Sequence, residues 1–204
     1  RVLVCRIWVV SVCRFGLTEI TMSQNSRNFV QAVLAFDAVV QRTDDNAWQN
    51  ASPCEGWTAA DLLEHQCAVL NGVTAVATSG KMAGPTPPAD MSDPQAAWRE
   101  TRDSVLLALD QQGVLGQQGP FWFDAPTVDD MVGIVMWDAV THTWDLAQAV
   151  GQHHALDDAR VQACHAVIAP MSDMLVESGR TGPVIPVAND APILDRYLGL
   201  VGRQ

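Results

Sequence analysis

Apolar residues recur at helical spacing along most of the chain. From Asn25 to about Arg42, Phe29, Val33, Phe36 and Val40 fall three or four apart, which predicts a first helix with one buried stripe. Asp44 to Gly56 reads as a loop carrying Trp48. Thr58, with Asp61 three places on, caps a second helix whose apolar side is Leu62, Leu63, Val69, Leu70 and Val73. His65 lies in its second turn, between Glu64 and Gln66. Lys81 to Asp90 is a Pro-rich connector. Ser92 or Asp93 then starts a third helix, with Pro94 near its N-terminus, that runs through Trp98 and Val105 to Leu109. Gln111 to Asp124 is a linker ending in PFWF, readable as a short strand or as a plug over a helical bundle.

The most informative pattern is Met131 to Gly151, MVGIVMWDAVTHTWDLAQAVG. Ile134, Met136, Trp137, Val140, Trp144, Leu146 and Ala147 give it an apolar surface wider than a surface helix needs, so it is expected to be buried on most sides. Thr127 and Asp130 have the offset of a capping box, and Gly151 supplies a C-cap. A fifth helix is predicted from Asp157 to Glu177, with a kink or break at Pro170. Gly179 to Pro192 is an extended loop, and a short helix from Ile193 to Val201 closes the chain. Long helices with mostly short connections predict an all-α fold, a four-helix bundle with an additional short C-terminal helix.

Residues 1–24 stand apart. Their apolar run is short and broken by Arg6, below the roughly 20 residues a membrane span needs, and no clean signal-peptide cleavage site follows. They are expected to be a non-native or disordered extension, with Met22 as the natural start and residues 25–204 as the folded domain.

Composition narrows the partners. Twelve Lys and Arg against 23 Asp and Glu leave a formal charge of -11. No basic cluster is available to track a nucleic-acid backbone or an anionic membrane surface, so neither is expected as a partner. The five cysteines (Cys5, Cys13, Cys54, Cys67 and Cys164) are odd in number, scattered and free of CxxC, which argues against a disulfide framework and a thiolate zinc knot. A cytoplasmic location fits that usage. The very apolar helix faces also make a homodimer possible.

Candidate chemistry sits on the long apolar helix. Asp138 and His142 are four residues apart and therefore on one face, one turn from each other. Buried polar groups need partners. Spacing alone favours a structural arrangement, with His142 bonded to a carbonyl and Asp138 to an indole or hydroxyl, over a shared metal ion. With His65 as a third ligand the set would be two nitrogens and at least one oxygen. Water or substrate would complete it, the pattern of a catalytic site. Zinc is the default, while nickel, iron and manganese accept the same donors. His153, His154 and His165 read as surface or packing residues, Trp57 and Trp144 as core, Cys67 as buried filler and Glu64 as solvated. Asp145 could accept from a metal-bound histidine, but it adjoins Trp144 and is not stacked below His142, so it reads first as a local cap or pair. Asp61, one turn before His65, could orient that histidine, but its capping role competes for the same oxygens.

Three segments carry a family likeness: SPCEGWTAADLLEHQ (Ser52 to Gln66), DAVTHTWDLAQAVGQ (Asp138 to Gln152) and GRTGPVIPVANDAPILDRYLGLVGR (Gly179 to Arg203). Through them the chain resembles the DinB-like helical bundles, in the actinobacterial branch related to the N-terminal domain of mycothiol-dependent maleylpyruvate isomerase. The resemblance extends from about Asn25 onwards. It implies a divalent metal held by His65, Asp138 and His142, with Asp138 where the isomerase has Glu. It also implies mycothiol as thiol partner and a small electrophile as substrate, hence a thiol-dependent transferase or isomerase. The isomerase's second, sterol-carrier-like domain has no counterpart here, so maleylpyruvate isomerisation itself is not expected. A metal-dependent hydrolase, a non-enzymatic metal- or small-molecule-binding protein, and a fold that has lost its metal remain open alternatives.

Overall fold

The computed structural model describes residues 22–204, so the expectation for the N-terminal extension lies, up to Thr21, outside the described residues. Four long helices form the bundle: α1 (Gln24–Val40), α2 (Ala59–Ser79), α3 (Pro94–Leu109) and α4 (Val128–Val150). After them come α5 (Asp158–Ile168), α6 (Ser172–Glu177) and α7 (Ile193–Leu200). The described residues contain no strand, only isolated bridges at Ala51–Thr58 and Gln118–Thr127. The all-helical expectation holds.

Each bundle helix begins where the chain supplies a cap. The Ser23 side chain accepts from the Ser26 amide, Asp93 from Ala96 with Pro94 in the first turn, and Thr127 from Asp130. Thr58 and Asp61 form a complete reciprocal box, which satisfies two amide donors that helical geometry leaves orphaned. Gly80 and Gly151 end α2 and α4 in the left-handed region. The expected fifth helix is divided at Pro170 into α5, a 3-10 turn (Ala169–Met171) and α6, since proline removes a donor and its ring clashes with the preceding turn. PFWF is the plug and not the strand: Trp122–Asp124 forms a 3-10 turn, anchored by the Trp122 indole donating to Ala83 O at 2.7 Å.

The long α4 is the centre of the fold. It packs against α1, α2 and α5, which is why it is apolar nearly all round. Phe29, Val33 and Phe36 of α1, Leu62, Leu63 and Leu70 of α2, and Met131, Met136 and Leu146 of α4 are among the fully buried core residues. Gly133 lets α1 approach closely: a Cβ there would lie 2.6 Å from Asn25 Cγ. α7 is pinned against the middle of α4. The Tyr197 hydroxyl donates to Trp137 O at 2.9 Å and lies 2.6 Å from Thr141 Oγ1. The carbonyl used belongs to the residue immediately before Asp138, so docking of α7 supports the backbone of the site.

No helix among the described residues is long and apolar enough to cross a membrane.

Candidate functional site

The second turn of α2 faces the middle of α4. There His65 Nε2 lies 3.2 Å from Asp138 Oδ1, and His142 Nε2 lies 3.7 Å from the same oxygen. One donor atom from each of His65, Asp138 and His142 lies within 4.8 Å of the others. Three residues separated by up to 77 positions in the sequence thus converge because two capped helices pack in one register.

A set of this kind could hold a metal ion. Tetrahedral angles with bonds of about 2.0–2.2 Å place neighbouring donors about 3.3–3.6 Å apart, and the two distances from the Asp138 oxygen bracket that value. The supporting contacts leave the right atoms free. His142 Nδ1 is 2.9 Å from Asp145 Oδ2, so a ring proton on Nδ1 would be held there and Nε2 would be the nitrogen turned to the triad. Gln66 Nε2 donates to Asp138 Oδ2, leaving Oδ1 toward the two histidines.

The three groups also pair with one another electrostatically. Burial pushes the Asp138 pKa upward, but the His142 charge, the His65 hydrogen bond and charge, and Gln66 outweigh it and hold the carboxyl below its ordinary range. Burial lowers the His65 pKa, while the Asp138 hydrogen bond and charge together more than offset that and leave it raised. Asp145 is fully buried. Its burial cost is outweighed by His142 and Arg203, so its pKa is lowered.

Asp145 pairs locally, as one of its two expected roles had it, but its partner is His142, which the expectation placed out of its reach. It is three residues past His142, a helical offset that places the two on one face, and it bridges to the C-terminus. Arg203 donates to it from Nε at 3.2 Å and from Nη2 at 3.0 Å. Cys54 Sγ lies 3.4 Å from Asp145 and accepts from Arg203 Nη2 at 3.1 Å. Burial, then the Asp145 charge, push the Cys54 thiol up to about 11, so it acts as an S–H donor. Cys54, His142 and Asp145 are also close enough to chelate, but the Arg203 guanidinium already supplies their cation. That second cluster therefore supports the first. Gln66, Cys54 and Arg203 were not legible as site residues in the sequence; the one signal was their presence within the family-like segments.

Asp61 is occupied by the Thr58 cap, and Glu64 is exposed. Trp144 is buried as expected. Trp57 is only half-buried: it packs on the core and also lies 5.2 Å from the His65 ring and 6.1 Å, nearly parallel, from the His142 ring. His153 and His154 stack on each other in the turn after α4, away from the triad, and His165 lies on α5.

The triad opens onto a cavity of about 620 Å³. Its walls are mostly apolar, with Trp57, Trp122, Phe123, Val135 and Trp137 prominent. The volume lies within the range of pockets that enclose small organic ligands.

The model of the mycothiol maleylpyruvate isomerase N-terminal domain matches residues 29–147, more than half of the chain. The chain belongs to that family. Its fold is accordingly the DinB-like helical bundle, here with additional C-terminal helices. It is 28% identical over 164 residues to an uncharacterised protein of Mycobacterium tuberculosis strain H37Rv, covering 78% of this chain and 82% of that protein. The corresponding protein of strain CDC 1551 / Oshkosh matches to the same extent. No solved structure gives a significant match.

Proposed function

We propose that this protein holds a divalent metal ion, with zinc first and nickel second, on His65, Asp138 and His142. We infer further that it uses the adjoining cavity as a thiol-dependent transferase or isomerase acting on a small electrophile. The observation that carries the reading is the convergence of two Nε2 atoms and one carboxylate oxygen on the wall of an aromatic-lined cavity. Family membership supports mycothiol as the thiol. When bound, such an ion lowers the pKa of a thiol that completes its coordination and so supplies the nucleophile at neutral pH.

The chain's own residues do the rest. Asp145 holds the proton on His142 Nδ1, and Arg203 holds Asp145. Gln66 fixes the rotation of the Asp138 carboxylate, although its own Oε1 is buried without a partner, a cost accepted to keep that contact. Trp57, Trp122 and Trp137 give the cavity apolar walls beside the triad.

Elemental analysis of the purified protein beside His65→Ala tests the metal. Near-stoichiometric zinc or nickel in the parent, lost in the variant, is expected. Metal in neither, even after reconstitution, would sink the reading. Turnover of model electrophiles should then require the thiol; hydrolysis of amides or esters without it would select a hydrolase instead.

A further inference from the structure

The cavity is unusual for this chain in its charge. On a protein of formal charge -11, its lining includes two guanidiniums, Arg180 and Arg203, and a single carboxylate, Asp138. Arg203 is committed to Asp145 and Cys54. Arg180 is not committed. Among the described residues no carboxylate forms an ion pair with it, and its side chain is exposed at the end of α6. What holds it is aromatic: its guanidinium carbon lies 5.6 Å from the centre of the Phe123 ring.

The backbone beneath that contact is strained. Phe123 (φ 59°) and Asp124 (φ 56°) are consecutive non-glycine residues in the left-handed region, which L side chains seldom enter. Such conformations persist where the surroundings over-determine them, and they gather at ligand-binding positions. Here the turn is closed by Phe121 N donating to Ala125 O at 3.0 Å and anchored by the Trp122 indole on Ala83 O. The result is that Trp122 and Phe123 both line the cavity, and Phe123 carries Arg180 at its edge.

We propose that Arg180, seated on Phe123, recognises a carboxylate group of the substrate, and that the substrate is an apolar monocarboxylate, best an aromatic one. Its body lies along Trp57, Trp122 and Trp137. The planar guanidinium fork matches a carboxylate through paired hydrogen bonds, and one free guanidinium matches one negative charge. The apolar walls reward an aromatic body with burial and offset stacking. The inference names the substrate class for the cavity that the proposed function assigns to the electrophile, and it rests on that assignment.

Calorimetric titration of the whole protein with cinnamate and with its uncharged isostere cinnamamide tests it, first after removal of metal by a chelator. Because Arg180 is exposed, a charge-assisted contact there predicts that cinnamate binds about two- to fivefold more tightly than cinnamamide. In Arg180→Gln the ratio should fall to near one, with cinnamamide affinity unchanged, and Arg180→Lys should recover part of it. Arg180 is exposed and unpaired, so the variants are expected to fold; unaltered cinnamamide binding verifies this. Equal affinities in the parent, or a preference that survives Arg180→Gln, overturns the proposal. Repetition with zinc separates it from the metal reading. A preference that appears only with zinc and ignores Arg180 sends the carboxylate to the ion, which overturns the Arg180 assignment and leaves the metal site standing. An Arg180-dependent preference in a protein that never takes up zinc upholds Arg180 and removes the metal.

Discussion

Arg203→Met is the most searching perturbation of the site, because it touches none of the three triad residues. Arg203 is three residues beyond the end of α7, and its side chain is 12% exposed against 0% for Asp145. The substitution keeps most of the apolar stem and deletes four guanidinium hydrogen bonds, two to Asp145 at 3.2 and 3.0 Å, one to Val201 O at 2.8 Å and one to Cys54 Sγ at 3.1 Å. Asp145 is left buried with the His142 N–H and the Cys54 S–H as its remaining donors. Removing one partner of a buried ion pair costs about 3–5 kcal/mol, and the slight solvent access of Arg203 points to about 3. For a chain of this length that is a fall of about 6–12 °C in Tm of the metal-free protein. A carboxylate that orients a metal-binding histidine is worth about 10–100-fold in metal affinity. Competition titration of zinc against a chelator should therefore show a loss of at least about tenfold. The companion is the same substitution in an Asp145→Leu background, where no buried charge remains to be stranded; there Arg203→Met should cost little. A Tm change under about 2 °C with zinc affinity intact, or an equal cost in both backgrounds, would refute the link from Arg203 through Asp145 to His142.

Three further outcomes are expected. The raised pKa of His65 contributes stability that is complete below its ordinary value of 6.5 and is lost as pH rises through the folded value. Metal-free parent should thus exceed His65→Gln in Tm most fully below pH 6.5 and converge with it only once pH passes the raised folded value; a gap that widens with pH contradicts the His65–Asp138 pairing. In Gly72→Ala a Cβ would meet Trp122 Cη2 at 2.7 Å and Gly84 O at 2.9 Å. Overpacking of about 1–3 kcal/mol should match or exceed the roughly 1 kcal/mol gained in helix propensity. The displaced Trp122 should change the intrinsic fluorescence, and an unchanged spectrum with raised Tm would show that the cavity wall yields freely. Tyr197→Phe removes the hydroxyl from Trp137 O and Thr141 and should cost about 1–2 kcal/mol in urea unfolding, without change in m-value.

Much of this protein was legible along the chain. Helix existence followed from spacing and caps, because both are local: Thr58 and Asp61 close their box within one turn, and Pro170 breaks its helix wherever it lies. The facing of Asp138 and His142 follows from four residues of one helix. Tertiary packing alone decided the rest. His65 meets Asp138 because α2 and α4 pack in a particular register, and no local rule encodes the offset between two helices 73 residues apart. Asp145 had the right offset from His142, but whether it would cap or orient depended on Arg203, delivered from the far end of the chain by α7. Trp57 as a cavity wall, Gln66 as an Asp138 donor and the left-handed turn that places Phe123 under Arg180 are likewise products of packing. Capping and periodicity are interactions over a few residues, readable in order. A site made by crossing helices is a property of distances that only the folded chain possesses.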